Sequence, residues 1–159
     1  MTRPDESPQP VVNAGNSPDT PLIHFAGLSH QVEVDEQALT DLSFAIAAGE
    51  RLVLLGSNGS GKTTLLKVIN GLVFASAGHY RYAGREITAT SLKDPAFHRR
   101  FRREVVLLFQ NPDSMLFNPT VFDELAFGLR QLGVPDLEDR VRHCAHLCGV
   151  EPLLERPPF

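Results

Sequence analysis

Gly56-Ser57-Asn58-Gly59-Ser60-Gly61-Lys62-Thr63 decides the reading of this chain, because it satisfies every fixed position of G-x-x-x-x-G-K-[ST]. Just before it, Arg51 to Leu55 is a short apolar run, as expected of a strand covered on both faces. Just after it, Leu65, Leu66 and Ile69 recur at helical spacing from Gly61 to Asn70, and Gly71 supplies a stop. Strand, loop and helix in that order give the motif a mechanism. The glycines let successive backbone N–H groups turn inward around an anion without Cβ clashes. The helix beginning near Gly61 adds its positive dipole end to the cradle. Lys62 is expected to place a point charge between the β- and γ-phosphates, the Thr63 hydroxyl to ligate Mg²⁺, and Thr64 to hold the α-phosphate. Gly56, Ser57, Asn58, Gly59, Ser60 and Gly61 complete the binding set. The loop therefore predicts a nucleoside triphosphate, and by itself it leaves the family open.

Working outward, residues 1–21 are rich in Pro, Asn, Asp, Ser and Gly. Such a segment cannot offset its ordering entropy by burial, and a disordered tail is expected there. Order is expected from Leu22, where Leu22-Ile23-His24-Phe25 has strand composition. Asp41 to Ala47 alternates polar and apolar residues as a half-buried strand does, and Ala48-Gly49-Glu50 turns the chain toward Arg51. His79 to Tyr82, between Gly78 and Gly84, and Val105 to Phe109, ended by Asn111-Pro112, are further expected strands. Helices are expected over Thr120 to Leu132 and Leu137 to Cys148, with a short turn around Leu153-Leu154. No internal repeat is visible.

The bulk composition excludes several classes. A net charge of −4 among 159 residues gives no global basic footprint, so nucleic acid is not an expected partner. Two cysteines, Cys144 and Cys148, cannot build a disulfide framework, which favours a reducing, cytoplasmic setting. The opening residues carry no apolar secretory segment. No run approaches the roughly 18 apolar residues that would span a bilayer, so a membrane role is expected to run through a partner.

Beyond the loop, the chain resembles the nucleotide-binding subunits of ABC transporters. Ala38 to Phe44 and Gly49-Glu50-Arg51 are similar to that family's approach to its Walker A loop. Ser76-Ala77-Gly78 to Gly84-Arg85-Glu86-Ile87 resembles its next hairpin. Val105 to Asp113 resembles its Q-loop, with Gln110 at the glutamine position. Leu116-Phe117 and Thr120 to Gly128 look most like the cobalt, nickel and vitamin energy-coupling-factor branch. The resemblance covers Leu22 to Phe159. It implies an α/β fold, a P-loop NTPase with a RecA-like core and an antiparallel β subdomain. Residues 22–110 would form the β subdomain and P-loop core, and residues 111–159 the Q-loop and the start of a helical subdomain. It further implies ATP and Mg²⁺ as cofactors and Gln110 as a residue sensing Mg²⁺ and the attacking water, alongside a catalytic Lys62. Partners would be integral membrane transporter subunits and a second ABC ATPase subunit in a head-to-tail dimer. The location would be peripheral, on the inner face of the cell membrane, and the activity ATP hydrolysis coupled to metal-ion or vitamin uptake. A soluble ABC-type ATPase of DNA repair or translation, or a non-catalytic nucleotide-binding remnant, are the alternatives.

The sequence departs from the family pattern in three ways. Val32 stands where the family stacks an aromatic residue on adenine, with His30, expected on an exposed loop, as a substitute. Ser114 and Met115 replace residues usually polar or acidic in the coupling-factor branch. The sequence also ends before the family's signature, Walker B segment and switch histidine, so the 159-residue chain is expected to be inactive alone. If a RecA-like strand order applies, Arg51–Leu55 and Val105–Phe109 would lack direct pairing partners, leaving apolar edges prone to aggregation.

Two other clusters have plainer readings. His98-Arg99-Arg100-Phe101-Arg102-Arg103 is dense in charge, and the expected structure is a short helix with a solvated basic face and Phe101 turned inward. His143, Cys144, His146 and Cys148 match no common zinc spacing. Val141, Cys144, Ala145 and Cys148 share one helical face and are expected to pack as core.

Overall fold

The computed structural model describes residues 11–12, 21–33 and 36–159, and the chain divides into two compact units, Met1–Leu107 and Leu108–Phe159. In the first unit β2 (Ile23–Glu33), β3 (Glu36–Ile46), β5 (Ala77–Tyr82) and β6 (Arg85–Glu86) form a four-stranded antiparallel sheet in the order β3-β2-β5-β6. β2 pairs on both sides, so Phe25 faces Phe44 across one ladder and Tyr80 across the other. The ring centroids lie 4.6 and 4.8 Å apart. A row of three rings across three strands fixes the register, because a one-residue slip of any one strand would turn its ring to the opposite face. Between Ala26 and Ser29 the β2–β5 register shifts, and there the strands approach so closely that a Cβ on Gly78 would lie 2.1 Å from the Gly27 carbonyl oxygen. Only glycine fits.

The core of this unit lies between the sheet and two helices, α1 (Lys62–Ile69) and α2 (Pro95–Glu104). Leu65 and Val68 of α1 and Phe97 and Phe101 of α2 join Phe25, Leu28, Leu39 and Tyr80 in one buried cluster. Helix α2 starts because Asp94 accepts hydrogen bonds from the Ala96 and Phe97 backbone N–H groups and Pro95 presets the first turn. Phe97 and Phe101 are spaced i,i+4 and point inward, while His98, Arg99, Arg100 and Arg103 are exposed. This is the solvated basic face read from the sequence.

Two expected strands differ from the structure. Of Arg51–Leu55 only Leu54–Leu55 (β4) is a strand, and it pairs antiparallel with Val11–Val12 (β1). It therefore does have a partner, supplied by the segment expected to be a tail; residues 1–10 and 13–20 of that segment lie outside the described residues. It is not covered on both faces either, since Val53 and Leu55 are 67% and 66% exposed. Val105 to Phe109 forms no strand, with Val106 81% and Leu108 83% exposed. An apolar run becomes a strand only when a neighbour takes its N–H and C=O groups, and among the described residues none pairs with this one.

The second unit is built on α3 (Val121–Gln131) and α4 (Leu137–Cys148). Ala126, Val141, Ala145 and Leu154 form its buried centre, with Val121, Phe122, Leu125, Leu129, Leu137 and Val150 packed around them. The orphan N–H groups of α3 are met from two sources. Thr120 Oγ1 accepts from the Asp123 N–H at 3.1 Å. The Val121 and Phe122 N–H groups donate to the carbonyls of Arg156 and Leu154, both at 2.9 Å. Thr120→Ala removes the side-chain cap and is expected to destabilise this unit by about 1 kcal/mol, read as a lower denaturant midpoint. An unchanged midpoint would mean that the backbone contacts cap the helix unaided. The expected core stripe on α4 is narrower than its sequence face. Val141 and Ala145 are fully buried, Cys144 is half-buried and Cys148 is exposed; the buried centre formed with α3 and Leu154 takes in Val141 and Ala145 but neither cysteine. Among the described residues no group of His, Cys, Asp and Glu could hold a metal ion, and no helix is long and apolar enough to cross a membrane.

Candidate phosphate-binding site

The loop Gly56–Thr63 leaves β4 and enters α1 through left-handed backbone at Gly59 (φ 83°) and Gly61 (φ 82°). Gly61 is the N-cap of α1 and no side chain caps that end. The first turn-closing bond runs from the Leu65 N–H to the Gly61 carbonyl at 2.8 Å. The N–H groups of Lys62, Thr63 and Thr64 therefore precede the helical ladder and are aimed along the axis as donors. Three aligned amides at the positive end of a helix suit a phosphate.

The loop's interior is kept open by what it lacks. A Cβ on Gly56 would fall 2.4 Å from Ser60 Oγ and 3.8 Å from Lys62 Nζ, inside the turn. Ser60, only 4% exposed, closes the turn from within, its N–H reaching the Ser57 carbonyl at 3.3 Å. Lys62 Nζ donates to the carbonyls of Gly56 at 2.8 Å and Ser57 at 2.6 Å, and more weakly to Ser60 Oγ at 3.4 Å. The ammonium is thus held beside the amide donors, and its long third contact is the one a phosphate oxygen can replace. Thr63 is exposed on the first turn and Thr64 is half-buried. One hydroxyl beside a phosphate cradle fits Mg²⁺, which binds through one or two protein oxygens and the phosphates. The loop's last glycine rests on the sheet: a Cβ there would meet the Ala38 carbonyl oxygen at 2.5 Å and Leu39 Cδ2 at 2.9 Å. This seat on β3 carries no motif of its own and was not legible in the loop.

His30 is not an exposed loop residue as expected. It is half-buried within β2, and its Nδ1 hydrogen-bonds the Phe74 carbonyl at 2.7 Å, so the ring is committed to holding the chain beyond α1. The side chain of Val32 lies outside the described residues, as does that of Ser114.

Gln110 is exposed and belongs to the second unit, at the start of the stretch that turns through Pro112–Met115. Glu124, one turn into α3, secures the far side of that stretch. Its Oε2 accepts from the backbone N–H of Phe117 at 3.2 Å and from the backbone and side-chain nitrogens of Asn118, both at 2.9 Å. Burial pushes its pKa upward, but the bonds from Asn118 and Phe117 outweigh that and hold the carboxyl below the ordinary glutamate range. A depressed value means the folded state prefers the ionised form. Its contribution is complete above the ordinary glutamate range and is lost as pH falls through the lowered value. Glu124→Gln is expected to flatten the acid limb of the second unit's stability curve; an unaltered limb would show these bonds contribute nothing.

The chain is similar to known proteins. Residues 39–158 match the family described as ABC transporter. The chain is 45% identical over 141 residues to the nickel import ATP-binding protein NikO of Rhodobacter capsulatus, covering 87% of this chain and 55% of that protein. It is 36% identical over 152 residues to the energy-coupling factor transporter ATP-binding protein EcfA1 of Enterococcus faecalis, covering 94% and 49%. Among solved structures it resembles cbiO1 from Clostridium perfringens, part of the ABC transporter complex cbiONQ, with a TM-score of 0.69 at 25% identity over 87% of this chain and 55% of that one. The chain spans about half the length of the curated relatives it matches. The α/β architecture, with its antiparallel sheet and phosphate loop, matches the P-loop NTPase fold of that structure, and the chain belongs to the ABC transporter family.

Proposed function

We propose that this chain supplies the ATP-binding part of an ABC importer's ATPase subunit, of the energy-coupling-factor type that takes up a metal ion or vitamin. The carrying observation is the set of free amide donors at Lys62, Thr63 and Thr64 beside the Lys62 ammonium. Relatives that import nickel or belong to energy-coupling-factor transporters support the choice of importer.

In this reading Gly56 to Thr64 grip the triphosphate of ATP, and the Thr63 hydroxyl contributes one ligand to Mg²⁺, which neutralises phosphate charge. Gln110 orients the attacking water. Residues 22–159 supply only part of what phosphoryl transfer requires, so hydrolysis belongs to the whole subunit, paired head to tail with a second ABC ATPase subunit. The subunit works on the cytoplasmic face of the membrane against integral transporter subunits. Phe117 and Phe127 suit such docking: they meet edge to face at 4.8 Å and are 63% and 41% exposed, leaving apolar rings outside a well-formed helical unit.

Isothermal titration of the folded chain with Mg²⁺ and a non-hydrolysable ATP analogue tests the nucleotide part; saturable binding is expected, and no heat from a folded sample removes the reading. Co-purification with a membrane subunit, rather than with ribosomes or DNA, tests the importer part. Gln110→Ala is expected to keep analogue affinity within about threefold while slowing hydrolysis in the assembled complex by about two orders of magnitude, the low end of what a group positioned on a transferring proton contributes. A comparable loss of affinity would contradict a water-orienting role.

A further inference from the structure

The far end of the phosphate-loop helix is anchored by a buried polar cluster that the nucleotide reading leaves unused. Asn70, the C-cap of α1, is only 7% exposed. Arg102 of α2 donates from Nη1 to both the Asn70 carbonyl at 2.7 Å and Asn70 Oδ1 at 2.9 Å. Asn70 Nδ2 in turn donates to the Val105 carbonyl at 3.3 Å. The chemistry fixes the amide's orientation, since a guanidinium only donates and a carbonyl only accepts. At the neighbouring position, the Tyr80 hydroxyl donates to the Ile69 carbonyl at 2.9 Å, and burial raises the Tyr80 pKa far beyond its ordinary value, keeping it a donor. Val105 also closes α2, its N–H reaching the Phe101 carbonyl at 2.8 Å. It begins the run that reaches Gln110 five residues later.

We infer that Arg102 and Asn70 are positioning residues that tie the phosphate-loop helix to the segment carrying Gln110. Helix α1 has eight residues and spans about 12 Å, so a short rigid rod joins the amides that hold phosphate to Asn70. A displacement at one end is transmitted to the other, because packed helices shift as units. Arg102 is suited to this role because Nη1 carries two N–H donors, one for each Asn70 acceptor, while Nε of the same planar guanidinium reaches His98 Nε2 at 3.3 Å and holds the plane in place. A cation at the helix C-terminus also complements the dipole whose other end faces phosphate. The pair thereby sets the grip on the nucleotide and the starting point of the Gln110 run together. This rests on the proposed ATP site.

The test is hydrogen–deuterium exchange of the full chain with and without Mg²⁺ and a non-hydrolysable ATP analogue. In the unmodified protein the analogue is expected to lower uptake at residues 56–66 and also at residues 103–110. Asn70→Asp is nearly isosteric and keeps both acceptors for Arg102, but sets an oxygen against the Val105 carbonyl. It is expected to retain the response at 56–66 and to lose at least half of that at 103–110. Arg102→Gln is expected to lose the same distal response and to weaken analogue binding about fivefold; should that variant not fold, Asn70→Asp decides alone. A full response at 103–110 in folded Asn70→Asp overturns the inference, and so does an unmodified protein that responds at 56–66 only. No response at 56–66 in the unmodified protein removes the nucleotide reading itself.

Discussion

Lys62→Ala is expected to weaken binding of an ATP analogue by about two orders of magnitude, while the circular dichroism spectrum stays unchanged. The size follows from the ammonium's position. It sits 2.8 and 2.6 Å from the Gly56 and Ser57 carbonyls, and its weaker 3.4 Å contact with Ser60 Oγ is the one a phosphate oxygen would replace. A hydrogen bond to a charged group contributes about 1.5–3 kcal/mol, and two decades in affinity correspond to about 2.8 kcal/mol. The fold should tolerate the change because the three contacts are local to the loop and Lys62 lies outside the buried cluster of Leu65, Val68 and the sheet. Titration calorimetry at fixed ionic strength is the measurement. Affinity within a factor of three of the unmodified protein would mean that phosphate binds elsewhere.

Gly61→Ala should damage both stability and binding, and Gly59→Ala separates the two causes. Both glycines have φ near +82°, where a Cβ costs roughly 1–2 kcal/mol. At Gly59 a Cβ meets nothing within 4 Å, whereas at Gly61 it would lie 2.5 Å from the Ala38 carbonyl oxygen. That oxygen is main chain within β3 and cannot swing aside as a flexible side chain would. Gly59→Ala should therefore lose about 1 kcal/mol and Gly61→Ala at least about 3 kcal/mol, with nucleotide binding undetectable in the latter. Denaturant midpoints for the two variants provide the comparison. Equal midpoints would show that the seat on β3 exerts no constraint.

The elements most legible in sequence were those whose signal is local. The phosphate loop was readable because glycine, lysine and threonine are each required by the geometry at fixed spacing. Helix α1 followed from periodicity, although Leu66, part of the expected spacing with Leu65 and Ile69, is 41% exposed and Val68 is buried instead; helix α2, with Phe101 inward, followed from a dense basic run around a single aromatic ring. The 41–47 alternation correctly marked β3 but understated it, since the strand runs back to Glu36 through residues whose pairing with β2 carries no alternation. Arg51–Leu55 and Val105–Phe109 were over-read for the opposite reason: an apolar run reports a willingness to be buried, not the presence of a neighbour to bury it. His30 was misjudged because the acceptor that holds it, the Phe74 carbonyl, is 44 residues away.

Within this chain, then, the sequence by itself determined the phosphate loop, its helix and the family to which both belong, since each is specified by short-range geometry in consecutive residues. The tertiary structure alone decided what the loop rests on and what its helix is fastened to. Ala38 beneath Gly61, and Arg102 and Val105 around Asn70, are brought together across 23 to 35 residues of chain. Contacts at such separations depend on how strands and helices stack, and no spacing rule in the intervening residues encodes them.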